Sequence, residues 1–374
     1  MPDQNKIGYR PTWAQVDLNN LEYNFKQVKS LLSKQTKILV TVKADAYGHG
    51  LIPVAKRLET CGVDYLGVAS IDEGIKLRNA GIKTHILLLG LILKKDIDPL
   101  FTYRLTPTVC DKEMAVALNA RAAVKNKKIA IQIKVDTGMG RIGVLHHNAL
   151  KLVKDIAKLK NIIIEGIFTH FALADINRKF TDYQIKLFEK LIDDLKQSGI
   201  VIPLVHTANS IGLIDYENSH FNMVRPGLVI YGLHPTEKLR IKLKPVLSLR
   251  TQVIFIKRVP ANSRISYAGT YVTKKSVNIV TLPIGYGDGY PRNLSNLAYL
   301  LIGKRRFRIA GRICMDQIMV DVGNFKPKIG DEVVLIGSQG KQKITTEELA
   351  KLSGTISYEI VCGLGSRIPR VYFS

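Results

Sequence analysis

The hydrophobic pattern changes character once along the 374 residues. Up to about residue 240, short β-branched runs alternate with longer stretches whose apolar positions repeat every three or four residues. The short runs have the composition of strands buried on both faces, and the longer stretches read as amphipathic helices. Eight strands are expected, over 38–43, 65–69, 86–89, 105–109, 129–135, 162–169, 204–207 and around 221–231. Asp17 opens a first helix that places Leu21, Phe25, Val28 and Leu32 on one face. Further helices centre on 114–121, 152–159 and 188–195. The last of these has Thr181 and Gln184 in capping-box spacing and Gly199 at its end. Eight β-then-α units predict a parallel (β/α)8 barrel of the TIM type over residues 1–240.

Past residue 240 the apolar runs become short and alternating, over 251–256, 277–282, 307–309, 317–322 and 332–336. Turn residues such as Pro260, Gly269, Gly285, Gly289 and Gly330 separate them. Residues 241–374 therefore read as a mostly β domain with one late helix near 346–352. A short strand at 13–16 could pair with either part.

Composition narrows the picture. The chain is 46% hydrophobic, ample for two cores. Its first ten residues hold no signal-peptide core, and the longest apolar run, 86–93, is too short to cross a bilayer. A soluble cytoplasmic protein is the expectation. The four cysteines are scattered without metal-ligand spacing, so no metal site is expected. The net charge of +24 raises nucleic acid as a partner. The lysines are dispersed, however, and no zinc finger, helix-turn-helix or aromatic RNA-binding motif accompanies them. A basic nucleic-acid-binding protein is the alternative from a different class, tested by salt-dependent retention on DNA.

In a parallel barrel the active site forms where the strands end. Here those ends carry Lys43 with Tyr47, Lys134 running into Asp136 and Arg141, Thr169-His170, and His206-Thr-Ala-Asn-Ser210. Arg225 joins the rim if the eighth strand stops at Val224. A lysine at the end of a buried strand either snorkels to solvent or serves as a partly desolvated nucleophile, as in Schiff-base enzymes.

The motifs decide between these. Val42-Lys-Ala-Asp-Ala-Tyr-Gly-His-Gly50, Lys134-Val-Asp-Thr-Gly-Met-Gly-Arg-Ile-Gly143, Thr169-His-Phe171, Ala208-Asn-Ser210 and Arg225-Pro-Gly227 lie in the first part. Ile265-Ser-Tyr267, Pro283-Ile-Gly-Tyr-Gly-Asp-Gly-Tyr-Pro-Arg292, Gly311-Arg-Ile-Cys-Met-Asp-Gln317 and Ile356-Ser-Tyr-Glu359 lie in the second. Together, in this order and over almost the whole chain, they resemble the alanine racemases, pyridoxal 5'-phosphate enzymes with this barrel and a β domain.

The resemblance implies that Lys43 holds the cofactor's aldehyde and acts as one base, with Tyr267 as the second base on the opposite face. Tyr267 and Met315 would reach a partner subunit's site, making the enzyme a homodimer with shared sites. Arg225 would face the pyridine nitrogen and leave it unprotonated, because arginine does not readily give up its proton. His170 would support Arg225 by a hydrogen bond. Tyr47, Asn209, Ser210, Gly227, Leu228 and Tyr358 would surround the phosphate end, and Arg141 and the Met315 amide would bind the substrate carboxylate. Lys134 is the residue that many members carry as a carbamate; otherwise it is an ordinary lysine paired with an acid such as Asp136. Asp175, Tyr286, Arg292, Arg312 and Ile356 would line a narrow entrance. The implied reaction interconverts L- and D-alanine for peptidoglycan. The nearest rival is a racemase for serine or lysine. A barrel-type decarboxylase would place an acid where Arg225 stands.

Overall fold

A computed structural model describes residues 9–234 and 240–374; the first eight residues, and 235–239 beside the expected domain boundary, lie outside the described residues. The eight parallel strands are Lys37–Thr41, Tyr65–Val68, His85–Leu88, Thr108–Val109, Ile129–Asp136, Ile162–Phe168, Leu204–His206 and Met223–Val224. The ladder runs from Met223–Val224 through Lys37–Thr41 to His85–Leu88. A bridge between Leu87 and Thr106 then leads to the remaining strands. Helices pack outside, burying residues such as Leu21, Phe25, Leu58, Leu118, Ile156 and Phe188 against the strands. Leu39, Tyr65, Leu87, Phe168, Leu204 and Met223 form a separate inner cluster.

Several expected boundaries shift, each for a physical reason. The eighth strand, expected around 221–231, shrinks to Met223–Val224. Pro226 has no N–H for a ladder, and Leu228–Tyr231 winds instead into a 3-10 turn. The long helix begins at Arg178, capped by the Asn177 side chain on the Phe180 N–H, so Thr181 and Gln184 are not its capping box. Both are buried within it, and Gln184 donates to the His170 carbonyl while accepting from the Ala172 N–H. Lys43 is not a strand residue either: the strand stops at Thr41.

The second domain is built on one large, mostly antiparallel sheet and a three-stranded sheet of Phe255–Val259, Val277–Leu282 and Ile318–Gly323. The run expected over 251–256 is split between Leu247–Gln252 and Phe255–Val259. The late helix spans Thr346–Ser353, and a further short helix, Ser357–Cys362, follows it. The strand Thr12–Asp17 lies in this domain's sheet, antiparallel to Leu247–Gln252 and parallel to Arg370–Phe373. The strand expected at 13–16 therefore pairs with the second part of the chain and not with the barrel. Two cores result, one around the barrel and one under the β domain. Among the described residues no helix is long and apolar enough to cross a membrane.

Candidate active site

The carboxyl ends of the barrel strands open into a cleft of about 490 Å³. Its floor is shaped by an unusual turn. After Lys43 the chain runs left-handed through Ala44, Asp45, Ala46 and Tyr47, with φ of 52–55°. Each such non-glycine residue costs about 1–2 kcal/mol, so the turn persists only because its surroundings hold it. Glu73 accepts from the Ala44 and Ala69 N–H groups, both at 2.7 Å, tying the ends of two strands together. Asp45 accepts from the Leu51 N–H at 2.8 Å, and Arg370 Nε donates to the Gly48 carbonyl at 3.0 Å. The turn leaves Lys43 in the cleft and buries Tyr47 against Tyr231 and Tyr358, with ring centroids 4.9 and 5.6 Å away.

Four cations, Lys43, Lys134, Arg141 and Arg225, share this space. Burial, and secondarily the Arg141 charge, hold the Lys43 amine below the ordinary lysine range. Lys134 is pulled further, to about 7, by burial and then by Arg225, Arg141 and Lys43. Both amines are thus shifted toward their neutral, nucleophilic form. Asp136 does not form the expected pair with Lys134. Its carboxylate is taken up by the N–H groups of Gly138, Met139 and Gly140 at 2.8–2.9 Å, which shape the loop leading to Arg141. Lys134 instead lies over the Phe168 ring, 5.1 Å from its centroid, and has no ion pair among the described residues.

Arg225 is buried. Its Nη1 donates to His206 Nδ1 at 2.7 Å, and its Nη2 donates to the carbonyls of Thr169 (2.6 Å) and Thr207 (2.9 Å). The supporting histidine is therefore His206 and not His170: the strand Leu204–His206 aims the His206 ring into the barrel, flat on Phe168 at 4.8 Å. His170 also lines the cleft, and burial and then Arg225 hold it neutral. Three of the five N–H groups of Arg225 are taken up in this way, which among the described residues leaves two, on Nε and Nη1, as donors for a ligand in the cleft.

The opposite end of the cleft is a cradle for an anion. The Gly227 N–H donates to Ser210 Oγ at 3.0 Å. A Cβ on Gly227 would stand 2.9 Å from the Tyr47 hydroxyl, so only glycine leaves this space open. Burial raises the Tyr47 phenol well above its usual range and that of Tyr358 to about 12, so both remain O–H donors. Asn209 caps the short helix Ser210–Asp215 through the N–H groups of Ile211 and Gly212, and so places Ser210. This donor set fits pyridoxal phosphate, whose phosphate would sit at this end with its aldehyde toward Lys43 and its ring nitrogen toward Arg225.

The second domain's residues lie elsewhere. Tyr267 and Met315 line a separate cleft with Ser266, Cys314, Asp316, Gln317 and Met319, and no residue lines both clefts. Tyr267 is 68% exposed and Met315 53%. Tyr286 belongs to this face: its N–H donates to the Cys314 carbonyl at 3.0 Å, and the next N–H, of Gly287, donates to the Met315 carbonyl at 2.9 Å. Arg312 accepts from Ser266 through its carbonyl, and Arg292 is exposed nearby in sequence. Ile356 lines the barrel cleft, and Asp175 is close enough for its charge to raise the Tyr358 phenol.

Four supporting residues had no role assigned to them from the sequence. His206 stood in a quoted strand end, yet the histidine after a strand drew the assignment to His170. Glu73 sits at ordinary helix spacing and carries no motif. Tyr231 reads as a core aromatic, although its hydroxyl donates to the Thr41 carbonyl at 2.9 Å. Asp288, fully buried, accepts from Arg10 Nη2 at 2.7 Å and from the Gly285 N–H at 2.9 Å, and also pairs with Arg367. It is visible only as one acid in a glycine-rich run.

Comparison with known proteins identifies the family. A family profile described as alanine racemase, N-terminal domain, matches residues 16–235, and its C-terminal counterpart matches 246–372. The alanine racemase of Halothermothrix orenii is 49% identical over 98% of each chain. That of Carboxydothermus hydrogenoformans is 44% identical over 97% of this chain and 100% of its own. Among solved structures, the alanine racemase of Clostridium difficile 630 superposes with a TM-score of 0.92 at 39% identity, covering 97% of this chain and 96% of its own. That of Bacillus anthracis, solved with bound L-Ala-P, gives 0.92 at 36% identity over 98% and 96%. Both halves of the sequence fall to one family, and the chain belongs to the alanine racemases.

Proposed function

We propose that Lys43 and Tyr267 are the two bases of this protein's reaction, the interconversion of L-alanine and D-alanine on pyridoxal 5'-phosphate. When bound, the cofactor withdraws electrons from the substrate α-carbon and so acidifies its proton. Lys43, its amine shifted toward the neutral form, takes or returns that proton on one face. Tyr267 of the partner subunit serves the other face, because inversion needs proton removal and delivery on opposite sides. A homodimer therefore carries two shared sites. Arg225 holds the ring nitrogen by a hydrogen bond without protonating it, since a guanidinium keeps its proton. Ser210, the Leu228 N–H and the phenols of Tyr47 and Tyr358 donate to the phosphate. Arg141 grips the substrate carboxylate with two N–H groups, aided by the Met315 amide of the partner subunit.

Lys134 is carbamylated in this reading, its amine near neutral and exposed to two neighbouring guanidinium charges that an anion would satisfy. Asp175, Tyr286, Arg292, Arg312 and Ile356 frame an entrance suited to a small amino acid. The product D-alanine feeds peptidoglycan synthesis in the cytoplasm. Nucleic acid and membrane have no part in it.

The observation that carries this reading is the division of the chemistry. Lys43 and Arg225 share one barrel cleft, while Tyr267 and Met315 stand exposed on a face that needs a second surface to become a site. Proton NMR of L-alanine in heavy water with the cofactor-loaded protein tests it. Loss of the α-proton signal with accumulation of D-alanine is expected, and Tyr267→Phe should slow the L-side step most. Exchange with serine or lysine but not alanine would move the substrate and keep the bases.

A further inference from the structure

Arg225 is a buried cation without an anion in contact. Its acceptors are an imidazole and two backbone carbonyls. Burial alone pulls its pKa down to about 9. A buried charge left this way is costly unless something beyond the first contacts compensates it.

The hydrogen bonds continue past His206 to such a group. A guanidinium only donates, so His206 Nδ1 must accept with its lone pair. The ring is neutral, depressed by burial and then by Arg225, so its single proton sits on Nε2. That Nε2–H donates to Gln132 Oε1 at 2.8 Å, and the Gln132 amide nitrogen donates to Glu165 Oε2 at 3.1 Å. A donor-only group stands at one end and an acceptor-only group at the other, which fixes the direction of every bond between.

The fold makes room for this column at some cost to regularity. Ile131 pairs with Ile164, but Gln132 pairs with Gly166, so Glu165 is the extra residue of a β-bulge. A bulge re-aims a side chain, and here it turns Glu165 toward the barrel interior, beside Tyr65 of the inner cluster. A Cβ on Gly166 would stand 2.9 Å from the Gln132 side chain, so glycine there clears the space Gln132 occupies.

We propose that Glu165, acting through Gln132 and His206, is the positioning residue and counter-charge of Arg225. This rests on the reading that Arg225 faces the cofactor ring. Without the carboxylate, Gln132 is free to turn its amide over and offer an N–H to His206 Nε2. The imidazole then has two donors and one lone pair, and Arg225 loses its acceptor for part of the time.

The test is nitrogen-15 NMR of histidine-labelled protein, cofactor-free and loaded. His206 is assigned among the eight histidines by its loss in His206→Asn. In the native chain the His206 ring should show an unprotonated Nδ1 and a protonated Nε2. In Glu165→Gln the two signals should move toward each other. The loaded variant's kcat for alanine should fall about tenfold with KM unchanged, the effect of one charge-assisted hydrogen bond. Gln132→Met should lower kcat alike, and it is the variant to read if Glu165→Gln does not fold. Unchanged His206 signals in Glu165→Gln, or unchanged kcat in Gln132→Met, would overturn the proposal. Arg225→Gln separates the two readings: if it leaves the visible spectrum of the bound cofactor unaltered, the ring-nitrogen reading falls, while the cofactor-free His206 spectrum still decides the column.

Discussion

The barrel cleft and the exposed face of the second domain carry two parts of one proposed chemistry and are built in opposite ways. Around the barrel cleft, Lys134, Ser210 and Arg225 are each at most 5% exposed, and their polar atoms are held by strand ends, a bulge and a strained turn. On the second domain, Tyr267 and Met315 stand exposed on loops; the Met315 carbonyl accepts from the Gly287 N–H, in a turn that the buried Asp288 holds through the Gly285 N–H. Holding an anionic, planar cofactor demands preorganised donors, which one chain supplies by itself. Delivering a proton to one face of it demands only correct placement at the moment of assembly. The difference teaches that binding and turnover should be separable by mutation.

The largest effect that would sharpen this contrast is Lys43→Ala. Racemisation should fall by about 10⁴-fold or more, and the visible absorbance of the lysine-linked cofactor should vanish. Next is Tyr267→Phe, which should lower L-alanine turnover by about 10²–10³-fold while cofactor absorbance and affinity stay as in the native chain. Loss of cofactor in that variant would break the comparison. Asp288→Asn removes the negative charge shared by two partly exposed arginines. It should lower stability by about 2 kcal/mol and loosen the Tyr286 and Met315 loops, raising KM for alanine without changing cofactor affinity. The smallest effect concerns Lys134. In carbon-dioxide-free buffer its amine titrates near 7 in the fold, but only near about 10.4 when unfolded. Between those values the unfolded chain binds the extra proton, so stability rises with pH through that window. Lys134→Met should remove that part of the rise in Tm. Bicarbonate should flatten it in the native chain and raise activity a few-fold, because a carbamate no longer titrates as an amine.

How much of this was legible in the sequence follows the same division. Strand cores such as 277–282 were readable to the residue because their two-residue alternation is set by local burial. The barrel strands were readable in number and order, and less so at their ends. Pro226 removes an N–H that a hydrophobic count does not see, and the left-handed turn after Lys43 is held by Glu73 and Arg370 from outside the segment as well as by its own Asp45. The cleft residues that face a ligand carried motifs. The residues that hold them, His206 and Asp288 above all, stood in quoted stretches without a role, because their roles depend on partners distant in sequence such as Arg225 and Arg10. The assignment to the wrong histidine has this cause: adjacency in sequence was a weaker guide than the inward side of a neighbouring strand.

The strand Thr12–Asp17 is synthesised near the start, and one of its two neighbours, Arg370–Phe373, emerges last among the paired strands. The barrel's strands are contiguous and free to assemble as the ribosome works, whereas the large sheet must wait with an open edge. The late strand also brings Arg370, which grips the Gly48 carbonyl behind the Lys43 turn. A chain interrupted before residue 370 would therefore lack both this edge strand and the brace behind Lys43, the base proposed above. Translation itself becomes a checkpoint: the Lys43 turn is fully braced only in a molecule that has been read through the last strand of the sheet.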